Sequence, residues 1–327
     1  MPSFDPTTLC GWVDDPKEVD RVLGMLPHPL FGPAAICARE EPAATEVFFW
    51  EVEEKIFGKT LPAHLQTIGD CVSHGNGRAA QDLWFYQLLP LIPSLGIDKV
   101  RELALQIATE PTYAFSRVEV GNGRLGLRDG SVGAWAAKGA TDYGHLFRKQ
   151  YDSVDLSRYS GERAKAWGMP RAGVPDELEP IAREFIVRTA SLVTDGEDFK
   201  RALLNWYPGA ICSQQGFTTT RDRYGFCRPS GTWSHCMEAR GCAEVLNGTT
   251  YDWSIPIQQS WGNSPNGPNR IKCKSGREVE LPEGVFMVPL DDVDRRMLRA
   301  KDTFVFSEMQ GGPDDEPFPT RPDFTIL

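Results

Sequence analysis

The 327-residue chain has no apolar run approaching the ~20 residues that a membrane-crossing helix requires. It has no surplus of basic side chains either. Forty-five acidic residues against 35 basic ones give a net charge of −10, so no broad positive surface offers itself to nucleic acid or to an anionic membrane. The opening residues Met1-Pro2-Ser3-Phe4-Asp5-Pro6 lack the charged and apolar regions of an export signal, which points to a cytoplasmic protein or a component of a larger particle. There is no Cys-x-x-Cys pair, and Cys227, His235, Cys236 and Cys242 are badly spaced for zinc; adjacent strand residues His235 and Cys236 would face opposite ways. No Gly-x-Ser-x-Gly turn is present to mount a serine nucleophile. The glycine-rich stretch Gly121–Gly130 is followed by no lysine and is not a phosphate loop. No repeat is visible. We expect neither metal nor cofactor.

What is present is ordinary for a globular chain, with 41% hydrophobic and 24% charged residues, enough to bury a sizeable core. Eight cysteines are scattered at Cys10, Cys37, Cys71, Cys212, Cys227, Cys236, Cys242 and Cys273. Without an export signal, that scatter predicts free thiols.

Composition divides the chain into three. Residues 1–60 carry frequent prolines and read as an extension wrapped on the core, a removable propeptide being the alternative. Residues 61–308 form the main domain. Residues 309–327 are rich in Pro and Asp; such a tail orders only against something else, so a protein partner holding it is expected.

Helices are expected near Asp15–Leu26, from Cys71 to about Leu89, over Asp98–Thr109 and over Ser131–Lys138 with Ser131 as N-cap. Gly75 and Gly77 weaken the second of these by about 1 kcal/mol each, a cost understandable if something must approach the backbone closely. Residues 150–180 read as a long connection, followed by short helix and strand material over Ile181–Thr189 and a helix over Glu197–Trp206. The period then changes to two. Trp233, His235, Met237 and Ala239 share one strand face; Tyr251, Trp253, Ile255, Ile257 and Gln259 share another, expected to face inward. Strands over Ala210–Cys212, Val285–Val288 and Thr303–Ser307 complete the pattern. Helices first and strands second predict an α+β fold of two packed lobes.

Within this frame Gln66-Thr67-Ile68-Gly69-Asp70-Cys71 stands out. A cysteine after a Gly-Asp turn at the start of a helix has its thiolate favoured by free N–H groups and the helix dipole. A glutamine amide upstream can donate to an oxyanion. By itself the stretch fits a buried structural cysteine equally well. Two later stretches change that: Ser234-His235, and Gln258-Gln259-Ser260-Trp261-Gly262. A thiolate needs an imidazole to pair with, and the imidazole needs a third group to orient it.

In this ordered combination the sequence resembles the papain-like cysteine peptidases over about residues 61–307. The resemblance implies a papain-like two-lobe fold with a cleft between a helical and a β-rich lobe, and hydrolysis of peptide or protein substrates through an acyl-enzyme. It implies Cys71 as nucleophile, His235 as general base and acid within hydrogen-bond reach of it, Gln259 as orienter, and Gln66 as oxyanion donor. Asp129, Gly130 and Ser131 resemble the family's substrate-binding loop, Ser234 adjoins the histidine, and Trp261 would shield the His235–Gln259 contact. There are departures. The Gln66–Cys71 spacing is one residue short of the family's usual one, Val72 stands where a tryptophan is usual, Ile68 replaces the first-bridge cysteine, and Gln259 replaces the asparagine. His74, one turn after Cys71, is a poorly aimed alternative base, and Asn263 competes with Gln259. Two other readings share these residues: a catalytically impaired papain-like component of a large assembly such as a virion, and a cell-wall amidase.

Overall fold

The computed structural model describes residues 6–32 and 44–312. Its helices are α1 (Pro16–Leu23), α2 (Trp50–Phe57), α3 (Cys71–Leu88), α4 (Ile92–Leu95), α5 (Ile97–Leu103), α6 (Thr109–Ala114), α7 (Gly133–Asp142), α8 (Gly161–Trp167), α9 (Glu179–Arg183), α10 (Gly196–Leu204) and α11 (Leu290–Asp292). Its strands are β1 (Glu46–Phe48), β2 (Val187–Leu192), β3 (Gly209–Phe217), β4 (Pro229–Ala239), β5 (Gly241–Asn247), β6 (Thr250–Gln258), β7 (Arg270–Lys272), β8 (Glu278–Glu280), β9 (Val285–Pro289) and β10 (Thr303–Met309). Eight strands form one antiparallel sheet in the order β1-β5-β6-β4-β3-β10-β2, with β9 also on β6, while β7 and β8 pair separately. The fold is α+β, a helical half against a curled β half.

The two halves meet on α3. Every one of its 18 residues is buried, so it has no solvent face and only a weak apolar stripe. Such a helix must approach its neighbours closely and satisfy its own polar side chains. A Cβ at Gly75 would stand 2.9 Å from the Cys236 sulfur on β4, which is the close approach its glycine allows. Farther along, Arg78 bonds Glu53 of α2 at 2.6 Å, and Asp82 bonds Arg240 at 3.0 Å. Arg240 is fully buried and also holds Glu53 (2.9 Å) and Glu238 (3.4 Å). This charge cluster ties α2, α3 and the β4–β5 corner together.

Several elements differ from expectation. The Asp98–Thr109 helix is two, α5 and α6. The 150–180 connection contains α8, whose Ser160 N-cap accepts from Arg163 N–H. β5 has no clear alternation, and β7 and β8 alternate over only three residues each, too short a run to predict a strand. Tyr251, at the start of β6, is exposed, and only the far end of that strand enters the core. Ser131 does not cap α7. It is paired with Trp12 in a bridge, and the first N–H groups of α7, those of Gly133 and Ala134, are taken by the carboxylate of Asp302 at 2.7 Å each. A side chain 169 positions away thus does the work a local serine was expected to do. None of the seven described cysteines is in a disulfide. Cys37 and residues 313–327, the greater part of the tail, lie outside the described residues. Among the described residues, no helix is long and apolar enough to cross a membrane, and no three His, Cys, Asp or Glu side chains are placed to hold a metal ion, so the four-residue zinc set does not assemble.

Candidate active site

Cys71 is the first residue of α3, fully buried. Asp70 precedes it, but its carboxylate does not cap the helix. It accepts from the Tyr159 hydroxyl at 2.9 Å and lies 3.4 Å from His74 Nε2. Gln66 is held in place by the pairing of residues 64–66 against 260–262, in which Gln66 N–H donates to the Ser260 carbonyl (2.9 Å) and Gly262 N–H to the His64 carbonyl (2.8 Å). His235 projects from β4 and stacks on Trp261, ring centroids 4.3 Å apart and 26° from parallel. The shielding tryptophan therefore sits on the histidine.

A feature with no sequence signal runs through the middle of these residues. The segment Leu9–Val13 lies along them; Leu9 ends a 3-10 turn (Pro6–Leu9), and Trp12 makes a single bridge with Ser131. The Leu9 carbonyl accepts from Gln66 Nε2 at 2.6 Å. Gly11 N–H donates to the Cys71 sulfur, as does Cys236 N–H. Ser131 N–H donates to the Gly11 carbonyl (2.8 Å), Trp12 N–H to the Ser234 carbonyl (3.0 Å), and Val13 N–H to the Ser131 carbonyl (2.9 Å). The segment runs parallel to Ser131. A Cβ on Gly11 would fall 1.8 Å from the Gly69 carbonyl oxygen, so only glycine passes there. Gly130 lies against the Gly11 carbonyl, and Asp129 packs on Gly69. Gln66, Cys71, Gly130, Ser131 and Ser234 thus form one line of residues, here the groove, along which residues 9–13 are bound, and Asp129 stands beside it against Gly69.

The hydrogen-bonded Cys71–His235 pair implied by the resemblance is not formed. The sulfur takes its bonds from the two backbone N–H groups, and both ring nitrogens of His235 lack a hydrogen-bond partner. Burial sets the protonation of both groups. It pushes the Cys71 thiol well above its usual range, Cys236 and Cys10 adding to this. It also lowers His235 to about 3, with His74 adding to that. Thiol and imidazole are therefore both neutral while the segment is in place. Gln259 is buried, one residue beyond the end of β6, and its amide oxygen has no partner; Asn263 is exposed. His74 points away from the groove toward His64, their Nδ1 atoms 3.2 Å apart, and both line a small cavity with Arg78, Glu238, Gln258 and Gln259.

Sequence reasoning missed Gly11, Trp12 and Asp302, which hold the segment, and Tyr159, which holds Asp70. Cys10-Gly11-Trp12 matches no motif, and Asp302 carries no mark beyond preceding a predicted strand.

No family model matches the chain, and no curated protein sequence matches it. Solved structures do. The chain is similar to xylellain, a cysteine protease from Xylella fastidiosa, at 13% identity and a TM-score of 0.53, covering 92% of this chain and 96% of that one. It is similar to procathepsin B S9 from Trypanosoma congolense at 12% identity and a TM-score of 0.52, covering 94% and 88%. At such identities the likeness is one of fold: the chain has a papain-like two-lobe fold.

Proposed function

We propose that the chain is a papain-like thiol peptidase, held off in this state by its own residues 9–13. The observation that carries the reading is the way these residues occupy the groove. A peptide carbonyl rests on Gln66 Nε2, a peptide N–H rests on the Cys71 sulfur, and backbone pairs form with Ser131 and Ser234. A groove that accepts one extended peptide through main-chain bonds can accept another.

With the segment gone, water reaches the sulfur, the burial that keeps the thiol neutral is relieved, and the His235 ring, whose nitrogens are unpaired, turns onto it. Cys71 then loses its proton to His235, the helix dipole favouring the thiolate. A substrate carbonyl takes the place of Leu9's on Gln66. The sulfur attacks its carbon, and the oxyanion is held by the Gln66 amide and the Cys71 backbone N–H. His235 returns the proton to the departing amine, and water then cleaves the thioester and restores the thiol. Gln259 would orient the imidazole through its amide oxygen, chemistry it shares with asparagine.

Gly11→Val tests the proposal, since no side chain fits at that position with the segment seated. The variant should hydrolyse fluorogenic peptides and alkylate at Cys71 faster than at any other cysteine. The unmodified chain should do both slowly. The missing Cys71–His235 bond is the observation that favours the second reading, a catalytically impaired structural protein. A Gly11→Val chain that neither cleaves peptides nor labels preferentially at Cys71 would establish it over the first.

A further inference from the structure

Trp12 does more than bridge to Ser131. Its side chain is 3% exposed and belongs to a buried cluster with Val72, Ala136, Ala210, Cys212 and Cys236. The alanines and cysteines among these are small, and together they leave room for a double ring. At the end of this space stands Asp302, itself 1% exposed, whose Oδ2 accepts the indole N–H at 2.7 Å. The same carboxylate accepts the Gly133 and Ala134 N–H groups, so it is fixed in place by α7 and cannot turn away. We infer that this space is a side-chain pocket of the substrate groove, and that Asp302 makes it select peptides carrying tryptophan. The inference rests on the peptidase reading for the word substrate, but the pocket's preference does not depend on turnover.

The physical argument concerns what happens to a buried carboxylate when its partners change. Oδ1 has the Ala134 N–H, and Oδ2 has the Gly133 N–H and the indole. A phenylalanine or leucine side chain would fill much of the same apolar volume. It would exclude water equally well and leave Oδ2 one donor short. Losing a hydrogen bond to a buried charged group costs more than any gain from similar apolar contact, so discrimination against the donor-less ring is roughly ten- to hundredfold. A lysine or arginine would supply charge but would not match the small, apolar walls. The main-chain bonds at Ser131 and Ser234 carry no side-chain information, so sequence preference in this part of the groove rests on the pocket.

The experiment uses the full chain carrying Gly11→Val together with Trp12→Ala, which unseats residues 9–13, empties the pocket and leaves the Ser131 and Ser234 backbone groups free. A fluorescein-labelled peptide of the sequence Thr-Leu-Cys-Gly-Trp-Val-Asp, matching residues 8–14, is titrated by fluorescence polarisation. It is compared with peptides bearing Phe, Leu or Arg in place of its Trp. The Trp peptide should bind at least tenfold more tightly than each of the others. Equal binding of the Phe peptide, or tighter binding of the Arg peptide, overturns the inference. In a second measurement, Trp12→Phe in the full chain keeps the ring and removes only the donor. It should raise the rate of Cys71 alkylation at least severalfold over the unmodified chain; no change overturns the role of Asp302. A chain that binds the Trp peptide selectively but hydrolyses nothing would refute the peptidase reading alone. One that hydrolyses peptides without preferring Trp would refute the pocket alone.

Discussion

The two sides of the first turns of α3 differ in how their polar groups are satisfied. On the Cys71 side, the Gln66 amide, the Cys71 sulfur, the Ser131 backbone, the Ser234 carbonyl and Asp302 all have partners, and residues 9–13 contribute to each of them. On the His74 side, Arg78 Nη1, Glu238 Oε1, Gln258 Oε1 and Gln259 Oε1 have no hydrogen-bond partner among the described residues, although all are buried, and Arg78 Nε has only the Glu238 carboxylate at 3.8 Å. Buried polar atoms in proteins are nearly always paired. On the proposed reading, the side completed by residues 9–13 is a binding surface seen occupied. The other side is a wall whose charges are fixed by Arg240 and whose remaining polar atoms are available to water or to a rearranged His235.

The sharpest way to break the comparison is at the sulfur. In a Gly11→Val background, Cys71→Ala should abolish peptide hydrolysis and lower the melting temperature only modestly, because one buried sulfur is lost and the Cys236 N–H alone is left without its acceptor. Residual turnover above about a thousandth of the Gly11→Val rate would remove Cys71 from the nucleophile role.

Next in size is the wall on the other side. Arg240→Leu strands Glu53, Asp82 and Glu238 without their shared cation, and should cost about 3–5 kcal/mol in urea denaturation. A loss below about 1 kcal/mol would mean that Arg78 alone can hold the cluster.

The histidine between the two sides gives a pH signature. Burial lowers His235 to about 3, below its ordinary value of 6.5, so the unfolded chain takes up this proton more readily than the folded one. The stability from keeping it neutral is present above about pH 6.5 and is lost as pH falls toward 3, with a slope of up to about 1.4 kcal/mol per pH unit. His145, likewise lowered to about 3, adds the same sign, and Asp302, raised to about 6, the opposite one. Stability curves of the unmodified chain and His235→Gln should therefore converge by about that slope between pH 6.5 and 4. Parallel curves would place His235 in solvent.

The smallest effect is expected at the third residue. Gln259→Ala in the Gly11→Val background should lower turnover by roughly fivefold, about one net hydrogen bond's worth, and Asn263→Ala should leave it unchanged. The reverse result would move the orienting role to Asn263.

The sequence was legible where a local rule carried the signal. The start of α3 at Cys71 follows from the Gly-Asp turn before it. Strands β4 and β6 follow from alternation, and the order of Gln66, Cys71, His235 and Gln259-Ser260-Trp261-Gly262 carries the papain-like likeness. The close approach that excuses Gly75 was foreseeable as a cost needing a reason, although Cys236 as that reason was not.

Only the folded chain decided what fills the groove and who holds it. Gly11, Trp12 and Asp302 act on residues 58 to 290 positions away in sequence, and no periodicity links such distances. Asp302 replaces Ser131 as the cap of α7 because a carboxylate brought in by β10 can take two orphan N–H groups at once, where one hydroxyl can take one. Composition and spacing say which residues can do chemistry. Which of them are paired, covered or left neutral depends on burial and on partners from the far end of the chain, and these exist only once the sheet has closed against α3.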